Sequence, residues 1–287
     1  MLQRPPRVIA IHDLSGFGRC SLSVILPVLS AMKVQACPVV TGVLSTHTGG
    51  LGEVALRDLT DFMEPALEHY KRLELEFECI YSGWMSSAEQ IEACLDYLAA
   101  WPKALAVVDP VMGDHGKPYK TYTPEMCSRM AKLAAAADLI TPNLTEAAIL
   151  LGEPCPTAPL RQFEAKGMLA RLSEQGPRLV TITGVEMADG TVANLGYDRE
   201  RGDYWRVDCR YVPASYPGTG DIFASVLVGG LLGGDSLPMA IERATRFLEV
   251  AVRTTFSYGS DTRYGVMLES CLSFLTADQV LDRYRLL

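Results

Sequence analysis

Pro217-Gly218-Thr219-Gly220-Asp221 is followed directly by Ile222-Phe223-Ala224-Ser225-Val226-Leu227, a run of apolar and small residues that predicts a helix. Glycine lets a backbone approach a phosphate closely, and the first N–H groups of a helix have no partner within the helix. The stretch therefore predicts an anion site at a helix N-terminus. Asp221 would stand beside the anion, where a carboxylate can accept a proton from an attacking hydroxyl group. The plain alternative is a glycine turn followed by an aspartate that favours the helix dipole.

Around this stretch, short apolar runs alternate with longer segments of helical pattern. The predicted strands are residues 7–12, 35–40, 79–82, 105–109, 139–141 and 178–183. The predicted helices are residues 19–33, 52–70, 86–101, 124–137, 219–232 and 236–256. This alternation indicates βαβ units and a mainly parallel sheet, whose ligands usually bind outside the carboxyl ends of the strands. Residues 191–209 predict an antiparallel hairpin. Because no low-complexity linker or repeat divides the chain, we expect one domain over residues 1–287.

The composition excludes several classes of protein. A net charge of −8 over 287 residues disfavours a nucleic-acid partner. No apolar run is long enough to cross a bilayer, and the start of the chain lacks the apolar region of a signal peptide, which predicts a cytoplasmic protein without a membrane partner. The eight cysteines form no C-x-x-C pair, and reduced thiols are expected because the chain is long and shows no export signal. The four histidines lack zinc-ligand spacing.

Four segments together resemble the ribokinase-like kinases. Gly218-Thr219-Gly220-Asp221 resembles their anion-hole signature. Three earlier segments resemble other motifs of the family and occur in the same order: Asp109-Pro110-Val111-Met112-Gly113, Thr141-Pro142-Asn143-Leu144-Thr145-Glu146 and Val180-Thr181-Ile182-Thr183-Gly184. The resemblance implies a three-layer α/β/α sandwich. Its central sheet would be mainly parallel, with helices on both faces and a small β hairpin or flap near the site.

The resemblance also implies the roles of individual residues. ATP would lie along the carboxyl edge of the sheet, with Mg²⁺ and an activating monovalent cation such as K⁺. The residues implied on the ATP side are Asp109, Thr141, Asn143, Glu146, Thr183 and Gly220, with Asp109 and Glu146 on the metal. Gly218, Thr219 and Gly220 would stabilise the transferring phosphoryl group, and Asp221 would act as the base and contact the substrate.

Within this superfamily, three stretches resemble the pyridoxal/pyridoxamine (vitamin B6) kinases. They are Ser45-Thr46-His47-Thr48-Gly49-Gly50, Tyr81-Ser82-Gly83-Trp84 with Ser87-Ala88-Glu89-Gln90, and Asp13-Leu14-Ser15-Gly16-Phe17-Gly18-Arg19-Cys20-Ser21. The likeness implies ATP-dependent phosphorylation of the 5′-hydroxymethyl group of a B6 vitamer by a homodimer. Asp13, His47, Thr48, Gly49 and Trp84 would contact the ring. Asp13, Thr46 and Trp84 depart from the residues usual in that family.

Structural alternatives remain open for several of these residues. Asn143-x-x-Glu146 is also a capping box, and Asp109-Pro110 is a common strand-ending turn. His47 could equally be a hydrogen-bonded core histidine, and Trp84 could equally be a core packing residue. Gly16-Phe17-Gly18 lacks the third glycine of a dinucleotide-binding loop. The functional alternatives are a hydroxymethylpyrimidine kinase of thiamine synthesis, a sugar kinase, and a non-catalytic ligand sensor on the same fold.

Overall fold

The computed structural model describes residues 4–210 and 212–287, and its centre is a ten-stranded sheet of order β12-β11-β10-β9-β8-β5-β4-β1-β2-β3. The strands are β1 (Arg7–Phe17), β2 (Gln35–Thr46), β3 (Leu56–Asp58), β4 (Cys79–Ser82), β5 (Leu105–Val108), β6 (Gly113–Asp114), β7 (Lys117–Pro118), β8 (Leu139–Ile140), β9 (Leu179–Glu186), β10 (Val192–Asp198), β11 (Asp203–Cys209) and β12 (Arg285–Leu286). The six strands from β9 to β2 in this order run parallel, as the sequence predicts. The strands outside them pair antiparallel.

Helices cover both faces of the sheet. They are α1 (Leu22–Ala31), α2 (Thr60–Arg72), α3 (Ala88–Ala100), α4 (Pro124–Ala135), α5 (Leu144–Leu151), α6 (Gln162–Glu174), α7 (Thr219–Leu232), α8 (Leu237–Ser257) and α9 (Ser273–Thr276). One apolar core packs α2 to α6 on one face, and a second core packs α1, α7 and α8 on the other. Side chains of β1 alternate between the two cores: Ile9 and Ile11 enter the first, and Val8 and Ala10 the second. The predicted three-layer sandwich is confirmed.

The parallel strands bring polar residues to one edge of the sheet. Asp109 and Thr141 follow β5 and β8 directly, and Thr183 lies in the second half of β9. Asp13 reaches the same edge differently, because the register between β1 and β2 shifts between His12 and Leu14. Such a bulge bends a strand and redirects a side chain. The sheet therefore presents the predicted polar residues along its carboxyl edge.

The predicted hairpin at residues 191–209 forms as β10 and β11. Its turn is remote from the carboxyl edge, because Asp198 pairs with Leu179, the first residue of β9. The hairpin near the carboxyl edge is instead β6–β7, which packs against α5 and turns through His115 and Gly116 at positive φ. Its strands are two residues long, too short for any periodic pattern to reveal.

The predicted helix at residues 52–70 is wrong in its first part. Gly50 and Gly52 have φ of 84° and 92°, which right-handed helix does not allow, and β3 then pairs antiparallel with β2. The helix α2 begins only at Thr60, whose N–H donates to Asp58 Oδ1 at 2.8 Å. β1 and β2 also extend beyond their predicted ends, to Phe17 and Thr46.

Two expectations from composition concern the chain as a whole. No helix in the part of the chain that the structure describes combines the length and the apolar character needed to cross a bilayer. All eight cysteines lie in that part, and none is paired in a disulfide.

Candidate active site

One cavity of about 1480 Å³ opens at the carboxyl edge of the sheet. Every residue that the sequence predicts for the site lines it: Asp13, His47, Thr48, Gly49, Trp84, Asp109, Thr141, Asn143, Glu146, Thr183, Gly218, Thr219, Gly220 and Asp221. The structure therefore brings the predicted ring side, the glycine turn and the predicted ATP side together in a single space.

The glycine turn has a geometry that only glycine can adopt. Gly218 has φ of 79°, and a Cβ on it would lie 2.1 Å from the carbonyl oxygen of Arg19. Thr219 begins α7, and its hydroxyl donates to Tyr216 O at 3.0 Å. A Cβ on Gly220 would lie 3.8 Å from Asp109 Oδ2, so the turn abuts the carboxylate at the end of β5. The free N–H groups of the first turn of α7 thus border the cavity.

Asp221 lies in the first turn of α7 and lines the cavity. Its Oδ2 accepts a hydrogen bond from the backbone N–H of Ser21 at 2.8 Å. Burial raises the pKa of Asp221 to about 7, the Ser21 bond opposes this rise, and the charge of Asp13 adds to it. A carboxylate with a pKa near neutrality is suited to accept a proton and release it again.

Asp109 and Glu146 are the acidic lining residues of the predicted ATP side. Burial, and then the charge of Asp221, raises the pKa of Asp109 to about 8. Burial, and then the charge of Asp109, raises the pKa of Glu146 well above its usual value. A nearby cation stabilises the ionised form of a buried carboxyl group. This side of the cavity therefore favours a cationic or metal-bearing ligand.

The capping box at the start of α5 is confirmed. Glu146 N–H donates to Asn143 Oδ1 at 3.0 Å, and Asn143 N–H donates to Glu146 Oε2 at 2.8 Å. The other oxygen, Glu146 Oε1, accepts from Met112 N–H at 3.2 Å. Among residues 4–210 and 212–287, no group of three or more His, Cys, Asp or Glu side chains is placed to hold a metal ion. A divalent ion here would need further ligands from a bound nucleotide and water.

The predicted ring side contains Asp13, whose Oδ2 accepts from the Ser15 hydroxyl at 3.0 Å. Burial raises the pKa of the Asp13 carboxyl. Trp84 lines the cavity and also packs against the apolar core, and its contact with a ring stays a prediction. Gly83 before it is required by packing, since a Cβ there would lie 2.3 Å from His12 Cε1.

His47 lines the cavity, but both of its ring nitrogens are bonded to the protein backbone. Gly49 N–H donates to Nδ1 at 2.9 Å, so the proton of the neutral ring lies on Nε2, 2.6 Å from Arg263 O. The ring also fills the space beside Gly18, where a Cβ would lie 2.3 Å from His47 Cδ2. His47 thus joins the end of β2 to residues near position 263. Because both ring nitrogens already have backbone partners, the structure supports this structural role and not a polar contact of the ring with a ligand.

The cavity includes residues that were not predicted for the site. They are chiefly Ser21, Cys20, Tyr119, Lys120, Glu186 and Tyr216. The stretch from Asp13 to Ser21 resembles the B6 kinases, but nothing in it singles out Cys20 or Ser21. Tyr119 and Lys120 follow β7, a strand too short to predict. Lys120 is the one lysine or arginine among the described residues of the lining, so the cavity is predominantly acidic.

A family profile described as phosphomethylpyrimidine kinase matches residues 26–265. The chain belongs to this family. The match covers most of the chain, and the predicted kinase fold is thereby confirmed. Among solved structures, a protein of Bacteroides thetaiotaomicron described as a candidate phosphomethylpyrimidine kinase, in a crystal form with pyridoxal, is 43% identical with a TM-score of 0.94; the alignment covers 99% of this chain and 100% of that one.

Two further relatives represent the two vitamin pathways. The pyridoxal kinase of Lactobacillus plantarum is 34% identical with a TM-score of 0.87, over 94% of this chain and 96% of that one. The chloroplastic thiamine biosynthetic bifunctional enzyme of Arabidopsis thaliana is 27% identical over 88% of this chain. The chain spans only 47% of that plant enzyme.

Proposed function

We propose that this member of the phosphomethylpyrimidine kinase family transfers a phosphoryl group from ATP to the 5′-hydroxymethyl group of a B6 vitamer: pyridoxal, pyridoxamine or pyridoxine. The observation that carries the proposal is the position of Asp221 at the end of the glycine turn, in one cavity with Asp13 and Asp109, whose charges interact with it. The 43% identical structure described with pyridoxal supports the choice of substrate.

Asp221 would act as the general base. As the bond from the substrate oxygen to the phosphorus forms, the proton of the hydroxymethyl group passes to the Asp221 carboxylate, and ADP leaves with the bridging oxygen. The N–H groups at the start of α7 would stabilise charge on the transferring phosphoryl group. Asp13 and Thr48 would orient the ring, so that the hydroxymethyl group rather than water meets the phosphate. The β6–β7 hairpin, whose turn lines the cavity, would restrict water at the ATP side.

The residues present fit a magnesium ion bound together with ATP. Mg²⁺ prefers oxygen ligands and keeps several waters, so it needs only one or two carboxylates from the acidic lining. Asp109 borders the glycine turn, and Glu146, whose two oxygens already accept backbone N–H groups, would act through water. When bound, the metal would neutralise charge on the phosphates, which the acidic lining requires. Asn143, Thr141 and Thr183 would border the phosphates or a K⁺ ion.

We further propose a homodimer in the cytoplasm, by analogy with the B6 kinases. The eight unpaired cysteines fit a reducing compartment. Sedimentation of the purified chain at micromolar concentration tests the dimer directly.

A coupled ADP-release assay with pyridoxal, pyridoxamine, pyridoxine and hydroxymethylpyrimidine tests the proposed substrate. We expect kcat/KM for at least one B6 vitamer to exceed that for hydroxymethylpyrimidine by about tenfold or more, a difference that unpaired polar groups in a site can produce. The product should be identified as the 5′-phosphate by mass spectrometry. ADP release without substrate, measured in parallel, reports hydrolysis of ATP by water.

The second candidate is hydroxymethylpyrimidine kinase activity, which the family profile and the plant thiamine enzyme favour. A higher kcat/KM for hydroxymethylpyrimidine would establish it in place of the B6 reaction. No substrate-dependent ADP release with any of the four compounds would leave the sugar kinase and the ligand sensor as the remaining alternatives.

A further inference from the structure

Ser21 has a backbone conformation that serine rarely adopts. Its φ of 49° and ψ of −138° lie close to the first central position of a type II′ turn, where glycine dominates. Ser21 immediately precedes α1, and serine at that position usually accepts a hydrogen bond from the helix with its hydroxyl. Here the side chain makes no such capping bond. Helix capping therefore does not explain why the chain holds this conformation.

The conformation directs the N–H of Ser21 at Asp221. The N–H donates to Asp221 Oδ2 at 2.8 Å, across 200 positions of sequence. Within residues 4–210 and 212–287, Asp221 Oδ1 accepts no hydrogen bond, and Asp221 lines the cavity. One carboxylate oxygen is thus fixed by the protein while the other is left for a ligand.

Packing around Arg19 holds Ser21 in place. Arg19 N–H donates to Tyr264 O at 3.2 Å. The Arg19 carbonyl touches Gly218 so closely that a Cβ there would lie 2.1 Å away, and a Cβ on Gly265 would lie 2.8 Å from the same oxygen. The segment before Ser21 is therefore enclosed by the glycine turn on one side and by residues 264–265 on the other. Strained backbone persists where surrounding contacts determine it in this way.

We propose that Ser21 is a positioning residue for Asp221: its backbone N–H, not its hydroxyl, orients the carboxylate toward the substrate hydroxyl. The inference rests on the proposed role of Asp221 as the base. It makes a specific demand of the side chain at position 21. Any residue that tolerates this backbone conformation should serve, and a β-branched residue, which resists positive φ, should not.

Ser21→Ala and Ser21→Thr separate the backbone from the hydroxyl. Ser21→Ala removes the hydroxyl, which also acts on Asp13, but keeps the stereochemistry, and we expect a fall in kcat about tenfold smaller than that of Ser21→Thr. Ser21→Thr keeps the hydroxyl but adds the β-branch, and we expect kcat to fall about 10- to 100-fold, as for a displaced catalytic group. KM for ATP should stay within a few-fold in both. Ser21→Gly, which suits the conformation best, should retain more kcat than Ser21→Thr, with an equal or higher Tm.

Gly265→Ala provides an independent displacement should Ser21→Thr fail to fold. The added Cβ would push on Arg19 O from outside the cavity. We expect a fall in kcat without a matching rise in KM for ATP. The positioning role is overturned if Ser21→Ala loses as much kcat as Ser21→Thr, or if Ser21→Thr and Gly265→Ala both keep parental kcat.

A double-mutant cycle separates this inference from the proposed function. In an Asp221→Asn background, Ser21→Thr should cause no further loss of kcat, because the two residues act as one unit. Full additivity of the two losses would refute action through Asp221. If Asp221→Asn alone keeps parental kcat, the assignment of the base is wrong. If Asp221→Asn loses activity and Ser21→Thr does not, Asp221 is supported as the base and the positioning role of Ser21 is refuted.

Discussion

Asp221→Asn should make the protein less active and more stable at once. The pKa of Asp221 is raised from 3.8 to about 7 in the folded chain, so the folded state resists its ionisation. A shift of this size corresponds to at most about 4 kcal/mol above pH 7. Since the carboxylate faces a cavity that admits water, we expect a smaller effect. For an acid with a raised pKa, the destabilisation grows as pH rises from about 4 and is complete above pH 7.

The measurement is urea unfolding of the parent and of Asp221→Asn at pH 5 and pH 8, without ligands. We expect the stability difference in favour of the variant to grow by about 1–2 kcal/mol between the two pH values. In the same preparations, kcat should fall at least about 100-fold, the lower range for loss of general-base help, while the affinity for ATP changes only a few-fold. Parental kcat should decline as pH falls through about 7, where Asp221 takes up its proton.

Asp278→Asn, at an exposed position outside the cavity, is the matched control and should change neither property. The reasoning is refuted if Asp221→Asn keeps near-parental kcat. It is equally refuted, as regards burial, if the stability difference is the same at pH 5 and pH 8.

Three further substitutions test other parts of the cavity. Asp13→Ala should raise KM for the vitamer more than it lowers kcat, and an unchanged KM for every vitamer would remove Asp13 from the ring site. Glu146→Gln should raise the Mg²⁺ concentration needed for half-maximal rate. It should also lower Tm, because an amide nitrogen cannot accept the N–H of Met112 or Asn143. Parental activity at limiting Mg²⁺ would show that Glu146 only caps α5. Gly218→Ala places a Cβ 2.1 Å from Arg19 O at a φ of 79° and should abolish kcat or folding. The control Gly167→Ala, in open space on α6, should leave both intact. Normal kinetics in Gly218→Ala would show that the turn can shift.

The sequence predicted the parallel core because short apolar runs, most of them buried as in β4 and the first half of β9, alternate with longer helical segments. β4 was placed correctly at both ends, and so was α7, whose start is marked by the glycines before Thr219. The start of α2 was missed, because Leu56 and Arg57 fit a helical pattern as well as an edge strand. The pairing of β3 with β2 is a tertiary contact, which local pattern does not contain.

The site was predictable where a motif follows a strand, since strand ends converge at one edge of the sheet. Asp109, Thr141 and Thr183 belong to this group. The part that escaped prediction depends on contacts between distant segments. Nothing near Ser21 indicates that its N–H meets Asp221, and nothing near His47 indicates that its ring bonds Arg263 O.

These long-range contacts also determine when, during synthesis, the site can first exist. Ser21 meets Asp221, Arg19 meets Tyr264, and His47 meets Arg263, so each early segment waits for one made more than 190 positions later. Translation delivers the N-terminal strands first, and β1, β2, β4 and β5 can pair before the last helices leave the ribosome. A chain that has not yet reached residues 264–265 accordingly lacks the contacts that hold Arg19, two positions before Ser21. Under the proposed function, we expect a nascent chain to gain phosphotransferase activity only after this last segment has been made.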